Sequence, residues 1–376
     1  MPPSASEPEA TVTGLPVKAS LIETKQSSLN NGGGIDQLLP RLEINHKEPL
    51  KLKGTLDKFE SFDVTPVIGK EFVNVDLAEW LQASNSDELL RDLAITVSQR
   101  GVVFFRKQDN ITDDLQKQLV QRLGELSGKP LTSKLHIHPI NNAGRDHGGK
   151  DDEISVISSE QAKKLFADRF STFGFDSRRQ SGKNQWHSDI TFEPVPNTLW
   201  ASGYELYDRI SPTLRQFLDT LTAYYAQPGF NESAARNNFD LYTAPRGAPE
   251  NVGDVLEAVH PVVRTNPVTG WKSVFAVGHH VKRINGLSEA ESQHFLGWFN
   301  QLVVENHDLQ VRLKWRDVND LAIWDNRSVY HAATPDYVYE NGLGERQGSR
   351  AVSLGEKPYF DLQSKSRREA LRGESS

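Results

Sequence analysis

Apolar residues along this chain recur in two periods, and the switches between them mark out most of its elements. From Asp87 to Gln99 the positions Leu89, Leu90, Leu93, Ala94 and Val97 fall at helical spacing, and Gly101 follows as a stop. Val102-Val103-Phe104-Phe105 then reads as a buried strand. A second amphipathic helix follows Thr112, whose side-chain oxygen can cap free N–H groups, and carries Leu115, Leu119, Leu123 and Leu126 on one face. Phe62 to Val75 predicts short strands around a turn. Beyond the second helix, short β-type runs dominate: Ile154-Ser155-Val156-Ile157, His260-Pro261-Val262-Val263, Val274-Phe275-Ala276-Val277, Leu321-Ala322-Ile323-Trp324 and Val352-Ser353-Leu354. Two helices interrupt them, about Gly203 to Ala223 and Ser288 to Glu305. Short strands at this spacing predict a mainly β, α+β architecture: a double-sheet core with helices packed outside.

The polar stretches set the boundaries. Residues 1–45 are rich in Ser, Pro, Glu and Asn and bury too little to offset their ordering entropy, so they predict a disordered tail. Residues 46–362 read as a single domain and 363–376 as a polar C-terminal tail, while Pro228 to Asp254 reads as a long surface insertion. With 37% hydrophobic residues the chain can build a substantial core. A formal charge of −7 gives no electrostatic case for nucleic acid or an anionic membrane. No apolar run approaches the roughly 20 residues of a bilayer span, and the first residues lack the basic start and apolar stretch of a secretory signal. A cytoplasmic protein is expected. The chain has no cysteine, so any metal must be held by His, Asp, Glu or water.

The chemistry is concentrated in two places. Trp186-His187-Ser188-Asp189 lies near mid-chain; Trp324-Asp325-Asn326-Arg327 and His331 lie near the C-terminus. A His-x-Asp pair with one distant His is the sequence form of a two-histidine, one-carboxylate facial triad, which caps one face of a ferrous ion and leaves the other open. In extended backbone, residues two apart point the same way, so His187 and Asp189 can reach one metal while Ser188 faces away. Taken alone, the pair reads as well as a hydrogen-bonded core histidine beside a capping aspartate. Arg346 and Arg350 follow in a Gly-rich stretch; an arginine fork matches a carboxylate in two-point contact. The other histidines read as surface or packing residues. His279-His280 could look like a metal pair, but neighbouring strand residues face opposite ways.

The order His-x-Asp, Thr-Leu-Trp, Trp-Asp-Asn-Arg, His, Arg, Arg resembles the taurine dioxygenase family of Fe(II)- and 2-oxoglutarate-dependent oxygenases. The likeness runs from about Phe62 to Pro358 and includes Gly101-Val102-Val103-Phe104-Phe105-Arg106, Leu135-His136-Ile137-His138-Pro139 and the run from His260 to Pro267. The resemblance implies a double-stranded β-helix (jelly roll) and an enzyme using Fe(II), 2-oxoglutarate and O2. It implies His187, Asp189 and His331 as iron ligands, and Arg346 with Thr198 on the distal carboxylate of 2-oxoglutarate. Arg350 and His138, with the backbone around Ile190, would hold an anionic head on a small substrate. A sulfonate is the leading candidate, with an amino-acid-like carboxylate or a non-catalytic binding role as alternatives. A homo-oligomer is compatible with this reading.

Two departures from the family bear on these expectations. Between Phe192 and Thr198 the family normally carries a further strand and a Gly-Gly-Asp turn; here only Glu193-Pro194-Val195-Pro196-Asn197 remain. At about 3.3 Å per residue such a link spans a gap but cannot run out and back. The expectation is a sheet short of one strand, with Thr198 displaced from the cofactor. In the substrate pocket, Asn141 stands where the taurine enzyme has a tyrosine, and Lys183 where it has an asparagine. A lysine there repels an ammonium, which counts against taurine itself.

Overall fold

The computed structural model describes residues 46–142, 149–158, 160, 186–193, 200–332 and 347–374. The first sheet joins a hairpin to two long-range partners. β1 (Ser61–Asp63) pairs antiparallel with β2 (Lys70–Phe72), β2 runs parallel to β3 (Val102–Phe105), and β11 (Leu321–Trp324) closes the edge antiparallel to β3. All four residues of β3 are buried, because both faces of the sheet are covered. On one side lie α1 (Leu77–Gln82), α2 (Ser86–Arg100) and α3 (Asp113–Leu126), whose Leu89, Leu93, Val97, Leu119 and Leu123 pack against Phe72 and Phe105. On the other, Phe104 and Val102 meet Val329 and Val311. The N-cap expectation holds: Thr112 accepts a hydrogen bond from the Leu115 N–H at 3.3 Å. Gly101 ends α2 at φ 76°, with its α-carbon so close to Val329 that a β-carbon would lie 2.7 Å from it.

The second region is built from shorter ladders. β6 (Thr222–Ala226) lies between β7 (Glu257–Pro261) and β10 (Val281–Ile284); β8 (Val263–Thr265) pairs with β9 (Lys272–Val274). β5 (Ala201–Ser202) pairs with β12 (Val329–Tyr330), and β4 (Ile154–Ser158) with β13 (Gln347–Ala351). α4 (Gly203–Arg209), α5 (Pro212–Leu218), α6 (Pro228–Asn237) and α7 (Glu289–Glu305) flank them. Tyr225, Val263, Phe275, Phe299 and Tyr330 form the centre of this core. Strands with flanking helices are as expected. Among the described residues the strands form five separate sheets, and none closes into a barrel. No helix of these residues is long and apolar enough to cross a membrane.

Several boundaries differ from the sequence reading. The single helix expected from Gly203 to Ala223 is two helices, because Pro212 forces Ser211 into extended backbone (φ −61°, ψ 147°) and breaks the run. Residues 222 and 223 already belong to β6. Val274 ends β9, while Phe275, Ala276 and Val277 remain buried without strand pairing. Val352-Ser353-Leu354 continues from β13 as a bonded edge, with the His136 N–H donating to the Val352 carbonyl at 2.8 Å. The 228–254 stretch is not a simple surface insertion: it holds α6 and buries Arg246, Ala248 and Asn251. Near the end of the chain, α8 (Arg367–Glu374) folds back so that Arg367 and Arg368 both pair with the buried Glu205, at 2.8 and 2.7 Å. Residues 1–45 lie outside the described residues.

Candidate metal centre

The two histidines are brought together by backbone, not by side-chain contact alone. His331 directly follows β12, and its N–H and carbonyl exchange 2.8 Å hydrogen bonds with the carbonyl and N–H of His187. This close pairing sets their rings side by side, centroids 4.0 Å apart. On its other side His187 bridges to Gly278. Gly278 sits at φ 102°, and a β-carbon there would lie 2.6 Å from the His187 α-carbon and 2.8 Å from the Trp186 carbonyl oxygen. Only glycine lets the two segments approach this closely.

After His187 the chain turns. Asp189 returns to the same face, its Oδ1 3.2 Å from His187 Nε2. One ligand atom each from His187, Asp189 and His331 all lie within 4.8 Å of one another. Ile190, next in sequence, is held at φ 60°, a left-handed conformation that costs a β-branched residue about 1–3 kcal/mol. Its carbonyl accepts the Glu193 N–H at 2.9 Å and closes the turn.

The charge state suits a cation. Burial pushes the Asp189 carboxyl up, but the Arg350 guanidinium and the hydrogen bond with His187 hold the group well below the usual carboxylate range. Burial, reinforced by His187, drives His331 well below the ordinary imidazole value, so its ring is neutral. His331 Nδ1 is buried with no hydrogen-bond partner among the described residues. A neutral imidazole with an unused lone pair beside an ionised carboxylate is the donor set a divalent metal needs. The residues therefore fit a ferrous ion.

Of the other expected residues, Arg350 is part of the cluster. It lies on β13 opposite Ser155, and its Nη1 donates to Asp189 Oδ2 at 2.5 Å. Its Nε is buried and has no partner among the described residues. His138 Nδ1 lies 3.0 Å from the Ile140 nitrogen and 3.1 Å from its carbonyl oxygen, and its ring packs 5.0 Å from Phe230 of α6. His136 meets it edge to face at 6.2 Å; it is itself fully buried and pushed down to about 3 by burial and by Arg350 and Arg246. Asn141 turns away to Asp152, at 3.1 Å. Thr198, Arg346 and Lys183 lie outside the described residues.

The sequence reading missed the residues that hold this turn in place. His280 Nδ1 lies 3.0 Å from Thr191 Oγ1 and 3.1 Å from the Ser188 carbonyl oxygen. His260 Nε2 faces the carbonyls of Thr191 and Glu193, both at 3.0 Å, and donates to them. Arg246 forks onto Glu193. His279 and His280 occupy a turn, so the alternation argued for strand residues does not apply, and both rings approach His187, centroids 4.5 and 5.6 Å away. No spacing in the sequence signals these partners, because each lies in another element. The Trp324-Asp325-Asn326-Arg327 motif is part of the scaffold: buried Asp325 accepts from Ser98 (2.6 Å), Asn266 (3.0 Å) and the Arg327 fork, fixing the turn before His331.

A family model described as "Taurine catabolism dioxygenase TauD, TfdA family" matches residues 60–197 and 197–351. The chain belongs to this family. Its two matched pieces meet at Asn197, inside the short link between Phe192 and Thr198. Membership makes the TauD/TfdA chain an enzyme of the α-ketoglutarate-dependent dioxygenase class, an oxidoreductase. It is 51% identical over 350 residues to the alpha-ketoglutarate-dependent dioxygenase btcD of Neocamarosporium betae, covering 86% of this chain and 98% of the relative. It is 30% identical over 315 residues to the alpha-ketoglutarate-dependent sulfonate dioxygenase of Saccharomyces cerevisiae, covering 80% and 68%. Among solved structures, a putative taurine dioxygenase from Burkholderia xenovorans superposes with a TM-score of 0.57 at 22% identity, covering 80% of this chain and 94% of that one. That likeness extends to the fold.

Proposed function

We propose that this protein is an Fe(II)- and 2-oxoglutarate-dependent dioxygenase that oxidises a C–H bond of a small anionic substrate in the cytoplasm. The observation that carries the reading is the convergence of His187, Asp189 and His331 within 4.8 Å, with Arg350 against the carboxylate. In this reading those three residues hold the metal. When ferrous iron is bound, it supplies an open face for the keto acid and dioxygen and an oxidant for the substrate, with release of succinate and carbon dioxide. Arg346, with Thr198, takes the distal carboxylate of 2-oxoglutarate. Arg350, His138 and the Ile190 backbone take the substrate's head group.

Arg350 suits that task because its unpartnered Nε is a charged donor already desolvated. Asp189 occupies only its Nη1 edge in the described structure. His138 Nδ1 is engaged by the Ile140 backbone, close to both its N–H and its carbonyl, and in this reading the imidazole is a second hydrogen-bonding group for the head. Relatives named as sulfonate and sulfate ester dioxygenases favour a sulfonate-like substrate. The bridge pairing of His187 with His331, beside the β5–β12 ladder, is read as part of a double-stranded β-helix; by sequence, the link from Phe192 to Thr198 is too short for the family's further strand. That shortening favours the second reading, a relative that binds metal and keto acid without turning over.

Succinate release from 2-oxoglutarate, with ferrous iron and ascorbate and with or without candidate sulfonates, separates the two. Turnover lost in His187→Ala and His331→Ala supports the enzyme. Binding of 2-oxoglutarate with no succinate under any condition supports the second reading. Ferrous binding undiminished in both alanine variants overturns the assignment of the metal ligands.

A further inference from the structure

The loop from Tyr242 to Gly247 touches both walls of the site. On one side it lies along the segment carrying His138: the Tyr242 N–H donates to the Pro139 carbonyl at 2.8 Å and the Lys134 N–H to the Gly247 carbonyl at 2.7 Å. The approach is so close that a β-carbon on Gly247, at φ 87°, would lie 2.3 Å from the Leu135 carbonyl oxygen. On the other side the same loop sends in Arg246, which is fully buried. Its Nε and Nη2 donate to the two carboxylate oxygens of Glu193 at 2.5 and 3.0 Å, and its Nη1 to the carbonyls of Tyr242 and Gly253 at 2.9 and 2.7 Å.

A guanidinium stripped of water persists only when its donors are met, and a two-point fork fixes the partner's direction as well as its distance. Glu193 is the residue whose N–H closes the turn over Ile190. That turn holds Ile190 in a left-handed conformation immediately after the ligand candidate Asp189. A strained turn keeps its shape only while its surroundings over-determine it. Among the described residues, Glu193 is gripped from elsewhere in the fold, by the Arg246 fork on its carboxylate and by His260 Nε2 on its carbonyl.

We propose that Arg246 is a positioning residue for this site: by holding Glu193 it fixes the Asp189 turn, and through its loop it ties that turn to the His138 wall. The inference rests on the metal-centre reading given above. Cutting the fork lets the Ile190 turn relax, which moves the Asp189 carboxylate and the opposite wall together.

The test uses the full chain, Co(II) as the probe, and the variants Arg246→Leu, Arg246→Lys and Glu193→Gln. Residues that orient metal ligands typically change affinity by about 10–100-fold. Arg246→Leu and Glu193→Gln are expected to weaken Co(II) binding within that range, to alter its visible absorption bands, and to speed amide exchange in the peptide spanning 187–193. Arg246→Lys, which keeps the charge without the fork, is expected to recover only part of each. Wild-type affinity, spectrum and exchange in Glu193→Gln and Arg246→Lys would overturn the proposal, even if Arg246→Leu failed to fold. Should the wild-type chain take up no Co(II), the metal reading fails, and exchange in the metal-free variants still decides whether Arg246 holds the turn.

Discussion

Replacing Gly278 by alanine should disturb the candidate metal centre, and the structure sets the scale. The added carbon would lie 2.6 Å from the His187 α-carbon, 2.7 Å from its β-carbon and 2.8 Å from the Trp186 carbonyl oxygen, against an ordinary contact of 3.4 Å or more. No rotamer relieves this, since the opposing atoms are backbone or bonded directly to it. His187 must therefore retreat by about 0.8 Å, and forced overpacking of this kind costs about 1–3 kcal/mol. The positive φ of 102° adds about 1–2 kcal/mol for a residue with a side chain. Gly286→Ala is the control: its φ is 84°, but a β-carbon meets nothing within 4 Å, so it bears only the backbone cost. Thermal unfolding should place Gly278→Ala below Gly286→Ala, and the shift at His187 should lower 2-oxoglutarate turnover by up to about 100-fold. Equal melting temperatures for the two variants, with Fe(II) affinity unchanged in Gly278→Ala, would refute the argument that close approach at Gly278 positions His187.

Three further outcomes follow from the same structure. His136 and His260 are both held down to about 3 by burial, so the unfolded chain binds more protons than the folded one below the ordinary value of 6.5. Stability is therefore full above that value and is lost as pH falls toward 3, by at most about 2 kcal/mol per histidine at pH 5; urea midpoints that stay flat from pH 7 to 5 would contradict this. Ending the chain before Ser366 removes Arg367 and Arg368 from buried Glu205 and should cost about 3 kcal/mol, largely recovered by Glu205→Gln in the shortened chain; absence of that rescue in a denaturation series would count against it. Building a strand and turn into the link between Phe192 and Thr198 should raise both melting temperature and turnover, and equal values with and without it would show that the short link costs nothing.

What the sequence made legible was whatever depends on local pattern. The helical spacing of Leu89, Leu93 and Val97 and the cap at Thr112 were readable because each acts within one turn of its neighbours. Pro212 also acts locally, but its break falls inside a longer apolar period that masks it. The ligand candidates were visible as a motif, but their convergence was not, since it depends on a backbone pairing between residues far apart in the chain. The braces around the Asp189 turn were hidden for the same reason. Arg246 lies in a polar stretch that reads as surface, and nothing in its neighbours says that Glu193 waits for it. His260 and His280 look like any packing histidine until their carbonyl partners are known.

The reciprocal amide bonds between residues 187 and 331 have a consequence for the life of the protein. Two imidazoles far apart in the chain meet only once folding has formed the bridge between residues 187 and 331 beside the short β5–β12 ladder, so an unfolded chain offers a metal no matching grip. In the proposed reading, iron that binds the folded form alone would add stability by mass action, about 2.7 kcal/mol at a hundredfold excess over its dissociation constant. Iron-starved cells would then hold a shorter-lived pool of this protein, and its abundance would itself report on the supply of the metal.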